Sequence, residues 1–182
     1  MTKSNFIVIT GGPGSGKSTI LKALSKLRYK YVDETGRKII KSRLDKGLPP
    51  RPGPEEFARQ MFDLDFKNYL DNIEENEPLF FDRSFLDSAS LLVKTSKKDE
   101  SNLAEILTAY RYNKEVFIAP PWEEIYCNDN ERDQTYEESV ITYESLYNWY
   151  QFNGYTLLSI PRLPVEGRVQ YIQENLQKNL SI

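Results

Sequence analysis

The sequence predicts an α/β protein built on a five-stranded parallel sheet with helices on both faces. Three observations carry that prediction. Five short runs rich in β-branched and aromatic residues recur along the chain. Segments with apolar residues at helical spacing separate them, the pattern of strands joined by helical crossovers. Residues able to do chemistry cluster just after the apolar runs, where open parallel sheets place their ligand crevice.

The elements follow in order. Asn5 to Thr10, NFIVIT, is a β-branched run stopped by glycines and reads as a buried strand. Lys17 to Leu27 carries Ile20, Leu21, Leu24 and Leu27 at helical spacing. Tyr29 to Asp33 reads as the second strand and Glu34 to Lys46 as a helix, ended by the proline-rich loop GLPPRPGP. A long amphipathic helix is expected from Glu55 to Asn76, with Phe57, Met61, Leu64 and Leu70 near one face. Pro78 to Asp82 is the third strand, two helical segments fit Phe85 to Tyr112, and Glu115 to Ala119 is the fourth strand. A polar, acidic loop from Pro120 to Thr135 precedes a tyrosine-rich helix, Tyr136 to Phe152. Its Val140, Tyr143, Leu146, Tyr147 and Tyr150 suit helix packing, and its acids oppose a nucleic-acid face. Tyr155 to Ile160 and Val165 to Leu180 close the chain as a strand and a helix.

At 182 residues the chain suits a single domain, 1–182, with a sizeable core. A net charge of −3 argues against a general nucleic-acid binder. The lone Cys127 excludes an internal disulfide and a four-cysteine zinc site. The N-terminal apolar run is too short for a signal peptide or membrane span, so a cytoplasmic setting is expected. The chain contains no histidine, which excludes Ser-His-Asp and Cys-His chemistry. General-base work, if any, falls to a carboxylate or to the substrate.

The sharpest motif is GGPGSGKST, Gly11 to Thr19, which fits G-x-x-x-x-G-K-[ST] between a strand and a helix. Gly11, Gly12, Pro13, Gly14, Ser15 and Gly16 form a loop whose backbone N–H groups can wrap a β-phosphate, helped by the following helix N-terminus. Lys17 is placed to reach the β- and γ-phosphates, Ser18 to ligate Mg²⁺, and Thr19 to complete the cradle. The nucleotide expected there is ATP: no Asn-Lys-x-Asp run for guanine recognition occurs.

Two further strand ends adjoin this loop. Asp33 and Glu34 close the second run, with Arg37 one turn on. Glu34 is either half of a local ion pair with Arg37 or the base that orients an acceptor hydroxyl. Asp82 ends PLFFD, a strand of the kind that carries a magnesium-shell acid. A motor would follow that acid with a second one to activate water. Here Arg83 follows, better suited to negative charge on a phosphate or acceptor, or simply to pairing with Asp82 or Asp87.

Taken together, GGPGSGKST, DETGR, FFDRSFLD, RYNKEVFIAPPW, DNDNERDQTYEES and YTLLSIPRLPVEGRVQYI resemble a family of small predicted ATPases over nearly the whole chain. That family shares an AAA-labelled P-loop domain with the ribosylnicotinamide kinase domain of the bacterial NAD regulator and with a fly photoreceptor-trafficking protein. The resemblance implies a three-layer P-loop NTPase fold, closer to nucleoside and nucleotide kinases than to hexameric motors. Glu34 and Arg37 match its Glu-x-x-Arg motif and Asp82-Arg83 its Asp-Arg motif; Ser84 stands where glycine is common. It also implies a lid near 120–135, in which Arg132 is placed to fold over the γ-phosphate, or else pairs with its acidic neighbours at the surface. Trp122 and Tyr126 either stack against the acceptor or anchor packing. In this fold the nucleotide base lies near Ile160 to Arg168, where Arg162 is placed to stack on it.

The expected function is therefore transfer of the ATP γ-phosphate to a small acceptor, a nucleoside or nucleotide. Lys17, Glu34, Asp82, Arg83 and Arg132 would be catalytic, and Ser18 and Asp82 would hold Mg²⁺. The rival is a nucleotide-dependent switch or slow NTPase that recruits a protein or lipid. A monomer or small homo-oligomer, without nucleic acid, is expected in either case.

Overall fold

The structure, a computed structural model, describes residues 1–96, 101–126 and 134–180. Arg132 and the centre of the expected lid lie outside the described residues.

Among the described residues, five strands and seven α-helices follow in the order the sequence predicts: β1 (Phe6–Gly11), α1 (Lys17–Lys26), β2 (Lys30–Val32), α2 (Thr35–Leu44), α3 (Pro54–Asp71), β3 (Leu79–Asp82), α4 (Phe85–Thr95), α5 (Ser101–Ala109), β4 (Glu115–Ala119), α6 (Tyr136–Phe152), β5 (Thr156–Ser159) and α7 (Val165–Leu180). The strands pair in parallel in the order β2-β3-β1-β4-β5. Helix α3 stops at Asp71, short of the expected Asn76. Beyond it the backbone is held from outside the helix, as Lys3 Nζ and Asn5 Nδ2 both donate to the Glu75 carbonyl.

Strand period and helix placement divide the core into two layers. On one face Phe6, Val8, Leu79 and Phe81 pack with Ala58, Phe62 and Tyr69 of α3, Phe85 and Leu86 of α4, and Leu146 and Tyr150 of α6. On the other, Ile7, Ile9, Phe80 and Phe117 meet Ile20, Leu21 and Leu24 of α1 and Val169 and Ile172 of α7. Burial on both faces explains why β1 and β3 read as unbroken apolar runs. In α6, Leu146 and Tyr150 are buried while Val140, Tyr143 and Tyr147 are half-buried, so it is an amphipathic core helix.

Central β1 and β3 bring the phosphate loop and Asp82 side by side, with Ile9 in register with Asp82. The next strand out, β2, delivers Glu34 to the same edge, where it precedes the first residue of α2.

Candidate active site

The phosphate loop leaves β1 and turns directly into α1 at Lys17. Gly14 and Gly16 take φ of 74° and 81°, a region closed to most side chains. A Cβ on Gly14 would also collide with the Tyr126 ring, and one on Gly16 would lie 2.7 Å from Arg168 Nη1. The Lys17 ammonium is buried and donates to the carbonyls of Gly12 at 2.9 Å and Gly11 at 3.3 Å. Ser139, at the start of α6, donates to the Pro13 carbonyl at 2.6 Å and fixes the loop from above.

Ser18 Oγ donates to Asp82 Oδ2 at 3.3 Å, while Asp82 Oδ1 is buried with no hydrogen-bond partner among the described residues. Burial pushes the Asp82 carboxyl up to about 6, reinforced by Glu34 and opposed by Lys17 and Arg83. One hydroxyl and one carboxylate, whose second oxygen is buried without a partner among the described residues, fit a magnesium ion. No cluster of three or more His, Cys, Asp or Glu side chains able to hold a metal ion occurs among the described residues.

Arg83 is the hub of the second half of the site. Its Nε donates to Glu34 Oε1 at 3.0 Å and its Nη1 to Asp87 Oδ1 at 3.2 Å. Burial alone would lower its pKa, but Glu34, Asp87 and Asp82 together raise it, so the guanidinium stays charged. Its backbone sits at φ 69°, uncommon for a residue with a side chain, and its N–H is tied to Ile9 O. Glu34 also accepts from Arg37 Nε at 3.1 Å through its other oxygen. Glu34 thus pairs locally with Arg37 and also reaches across to Arg83.

Asp87 is more than a helix cap. It closes the capping box of α4 with Ser84, is almost fully buried, and also accepts from Thr10 Oγ1 and from Tyr150 OH, the latter at 2.5 Å. Ser84, where glycine is common, is explained by that cap: its Oγ accepts from Leu86 N and meets Tyr150 OH at 2.6 Å.

These groups line one end of a cavity of about 260 Å³. Pro13, Glu34, Arg83 and Asp87 mark the end beside the phosphate loop. Ile40, Phe57, Met61, Leu91 and Ile141 supply apolar walls, and Arg37, Arg51 and Lys94 add positive charge. On α4 the lining residues Asp87, Ser90, Leu91 and Lys94 fall on one face, so the cavity runs about 10 Å along that helix.

Trp122 does not line this cavity. It leaves β4 in the other direction and joins Ser15, Pro120, Pro161, Arg162 and Arg168 around a narrow cleft beyond β5. Tyr126 packs against Gly14 and donates to the Gln134 carbonyl. Arg162 lines the cleft, is exposed overall, and donates to Pro121 O at 2.7 Å. Sequence reasoning missed Arg168: it is 5% exposed, lies over the Trp122 ring at 5.6 Å, and its Nε has no partner among the described residues. It reads as an ordinary charged residue of an amphipathic helix, and only the third dimension puts it against Gly16.

Solved structures share this architecture. Deoxyadenosine kinase from M. mycoides, with products dCMP and a flexible dCDP bound, superposes with a TM-score of 0.66 at 17% identity, over 95% of this chain and 99% of that one. Thymidylate kinase from Ehrlichia chaffeensis gives 0.63 at 14% identity, over 96% and 98%. Shikimate kinase from Aquifex aeolicus gives 0.53 at 18%, over 96% and 98%. At such identities the likeness establishes the fold, a P-loop NTPase fold of the nucleoside and nucleotide kinase type. No curated protein sequence matches the chain. A model of the AAA domain matches residues 6–168, from the start of β1 to Arg168, and with nearly the whole chain covered the protein belongs to the AAA domain family.

Proposed function

We propose that this protein is an ATP-dependent phosphotransferase acting on a small acceptor, a nucleoside or nucleotide. The observation that carries the reading is the 260 Å³ cavity that opens beside the phosphate loop with Glu34, Arg83 and Asp87 at that end. A machine that only hydrolyses needs a water beside the γ-phosphate; a walled cavity of this size suits a second molecule.

In this reading Lys17 and the loop N–H groups hold the triphosphate, and the Lys17 ammonium exchanges neutral carbonyl partners for phosphate oxygens. Ser18 and Asp82 would hold Mg²⁺, which when bound offsets phosphate charge. Glu34 orients the acceptor oxygen. Arg83, fixed between Glu34 and Asp87, offers positive charge at the junction of the two ligands without reorganising. Arg132 in the lid would add charge as the lid closes, and Arg162 would support the base. Phosphoryl transfer depends mainly on such positioning and electrostatics, and the absence of histidine is no obstacle.

The same reading takes 1–182 as one domain with its lid near 120–135, working in the cytoplasm as a monomer or small homo-oligomer. Among the described residues no helix is long and apolar enough to cross a membrane. The resemblance of the motifs to the ribosylnicotinamide kinase domain of the bacterial NAD regulator puts that nucleoside among the acceptors to test. The test is ATP consumption across a panel of nucleosides, nucleotides and other small alcohols, with phosphorylated product read by mass. Acceptor-dependent product supports transfer. ATP loss that no acceptor stimulates overturns it in favour of the switch or slow ATPase.

A further inference from the structure

Arg168 occupies an unusual position for a charged side chain. It projects from the first turns of α7 into the cleft between the β4 and β5 exits, and only 5% of the residue is exposed. Its Nε is buried without a hydrogen-bond partner among the described residues, and its guanidinium lies over Trp122. The cleft lining contains two arginines and no carboxylate. Burial lowers the Arg168 pKa, and Glu166, exposed on the same helix, only partly counters it. A buried guanidinium nitrogen without an acceptor is costly, so a site that retains one is suited to a ligand bringing the missing acceptor.

The ligand class follows from what stands next to it. Nη1 lies where a side chain on Gly16 would begin, so the guanidinium rests on the outer wall of the phosphate loop. Arg162, the other cation of the cleft, is exposed and engaged with Pro121 O, which leaves Arg168 as the buried donor. The cleft beside Arg168 is narrow, and Ser15 of the phosphate loop is among the residues that line it.

Resting on the reading of Gly11 to Thr19 as a nucleotide site, we infer that Arg168 is a phosphate ligand for the donor nucleotide, lifting off Trp122 onto a phosphate oxygen when the nucleotide binds. Guanidinium forks suit phosphate oxygens, and binding would replace a cation–aromatic contact by charge-assisted hydrogen bonds. Arg168 thereby couples α7 to occupancy of the phosphate loop, and Trp122 reports the event.

The test measures binding without an acceptor, by calorimetry and by Trp122 emission in a Trp149→Phe background, using ATP, inorganic tripolyphosphate and adenosine. Arg168→Met is expected to weaken ATP and tripolyphosphate alike, by about 10- to 100-fold, with adenosine unaffected. It should also abolish the ligand-induced change in Trp122 emission. Arg168→Lys, which keeps the charge, should lie between and carries the test if the Met variant fails to fold. Loss of ATP but not tripolyphosphate affinity would move Arg168 to the base and overturn the inference. So would unchanged affinities with a lowered melting temperature, the mark of a packing role. If the unaltered protein binds neither ATP nor tripolyphosphate, the nucleotide reading falls as well; acceptor-independent hydrolysis would leave this inference standing.

Discussion

The Arg83 guanidinium and the Glu34 carboxylate, 49 residues apart in sequence, meet at 3.0 Å across the ends of β2 and β3. Glu34 is thereby gripped from two sides, by Arg83 through Oε1 and by Arg37 through Oε2. Its orientation toward the cavity is set before any acceptor arrives.

Glu34→Gln keeps the shape and removes the charge. Nucleotide affinity should stay within about threefold while turnover falls by about 100-fold or more, the scale of a lost acid–base group. Calorimetry and steady-state kinetics separate the two quantities. An equal loss in both would remove Glu34 from the acceptor step.

Arg83 sits at φ 69°, so its backbone and side chain can be tested apart. Arg83→Gly and Arg83→Ala should both lose transfer, since each deletes the same guanidinium. The glycine variant should unfold at higher denaturant, by about 1 kcal/mol, because the left-handed region penalises a Cβ. An alanine variant as stable as the glycine one would show that the backbone there is not strained.

Asp82, pushed up to about 6 chiefly by burial, holds a cation only when ionised. Magnesium-dependent nucleotide affinity should therefore drop as pH falls through about 6. In Asp82→Asn it should be weak and nearly independent of pH. Binding titrations between about pH 5 and 8 decide this, and a flat profile in the unaltered protein would contradict the metal assignment.

Asp65 braces the site from behind. It accepts from Thr35 Oγ1, next to Glu34, and from Ser88 Oγ at 2.8 Å, next to Asp87. Burial raises its pKa from the ordinary 3.8 to about 7, with the two hydroxyls opposing the rise. Between those values the folded state binds the extra proton, so stability should fall as pH rises from about 4 to about 7. One proton limits the slope to about 1.4 kcal/mol per pH unit. Asp65→Asn should flatten that part of the profile in denaturant unfolding; an unchanged slope would show that Asp65 does not titrate there.

The phosphate loop was legible because its chemistry demands a contiguous pattern of glycines, lysine and serine between a strand and a helix. β1 and β3 were legible because burial on both faces makes Phe6 to Ile9 and Leu79 to Phe81 unbroken apolar runs. Glu34, Asp82 and Arg83 stood out because parallel strands deliver their C-terminal ends to one edge. Asp87 was legible only as a partner for Arg83, since nothing local announces Thr10 and Tyr150 as its other partners, 77 and 63 residues away. For Trp122 the sequence left two readings, stacking on the acceptor or anchoring packing, and the structure sets it against Arg168 in the cleft at the ends of β4 and β5.

By itself, then, the sequence determined the fold class, the order of its elements and the phosphate loop, because these depend on local periodicity and contiguous backbone geometry. Only the tertiary structure decided that Arg83 is clamped between Glu34 and Asp87, that Asp65 ties the backs of two helices together, and that Arg168 rests on the phosphate loop. Those relationships are made across the sheet by residues distant in the chain, and a side chain's role there depends on what it meets at the far end.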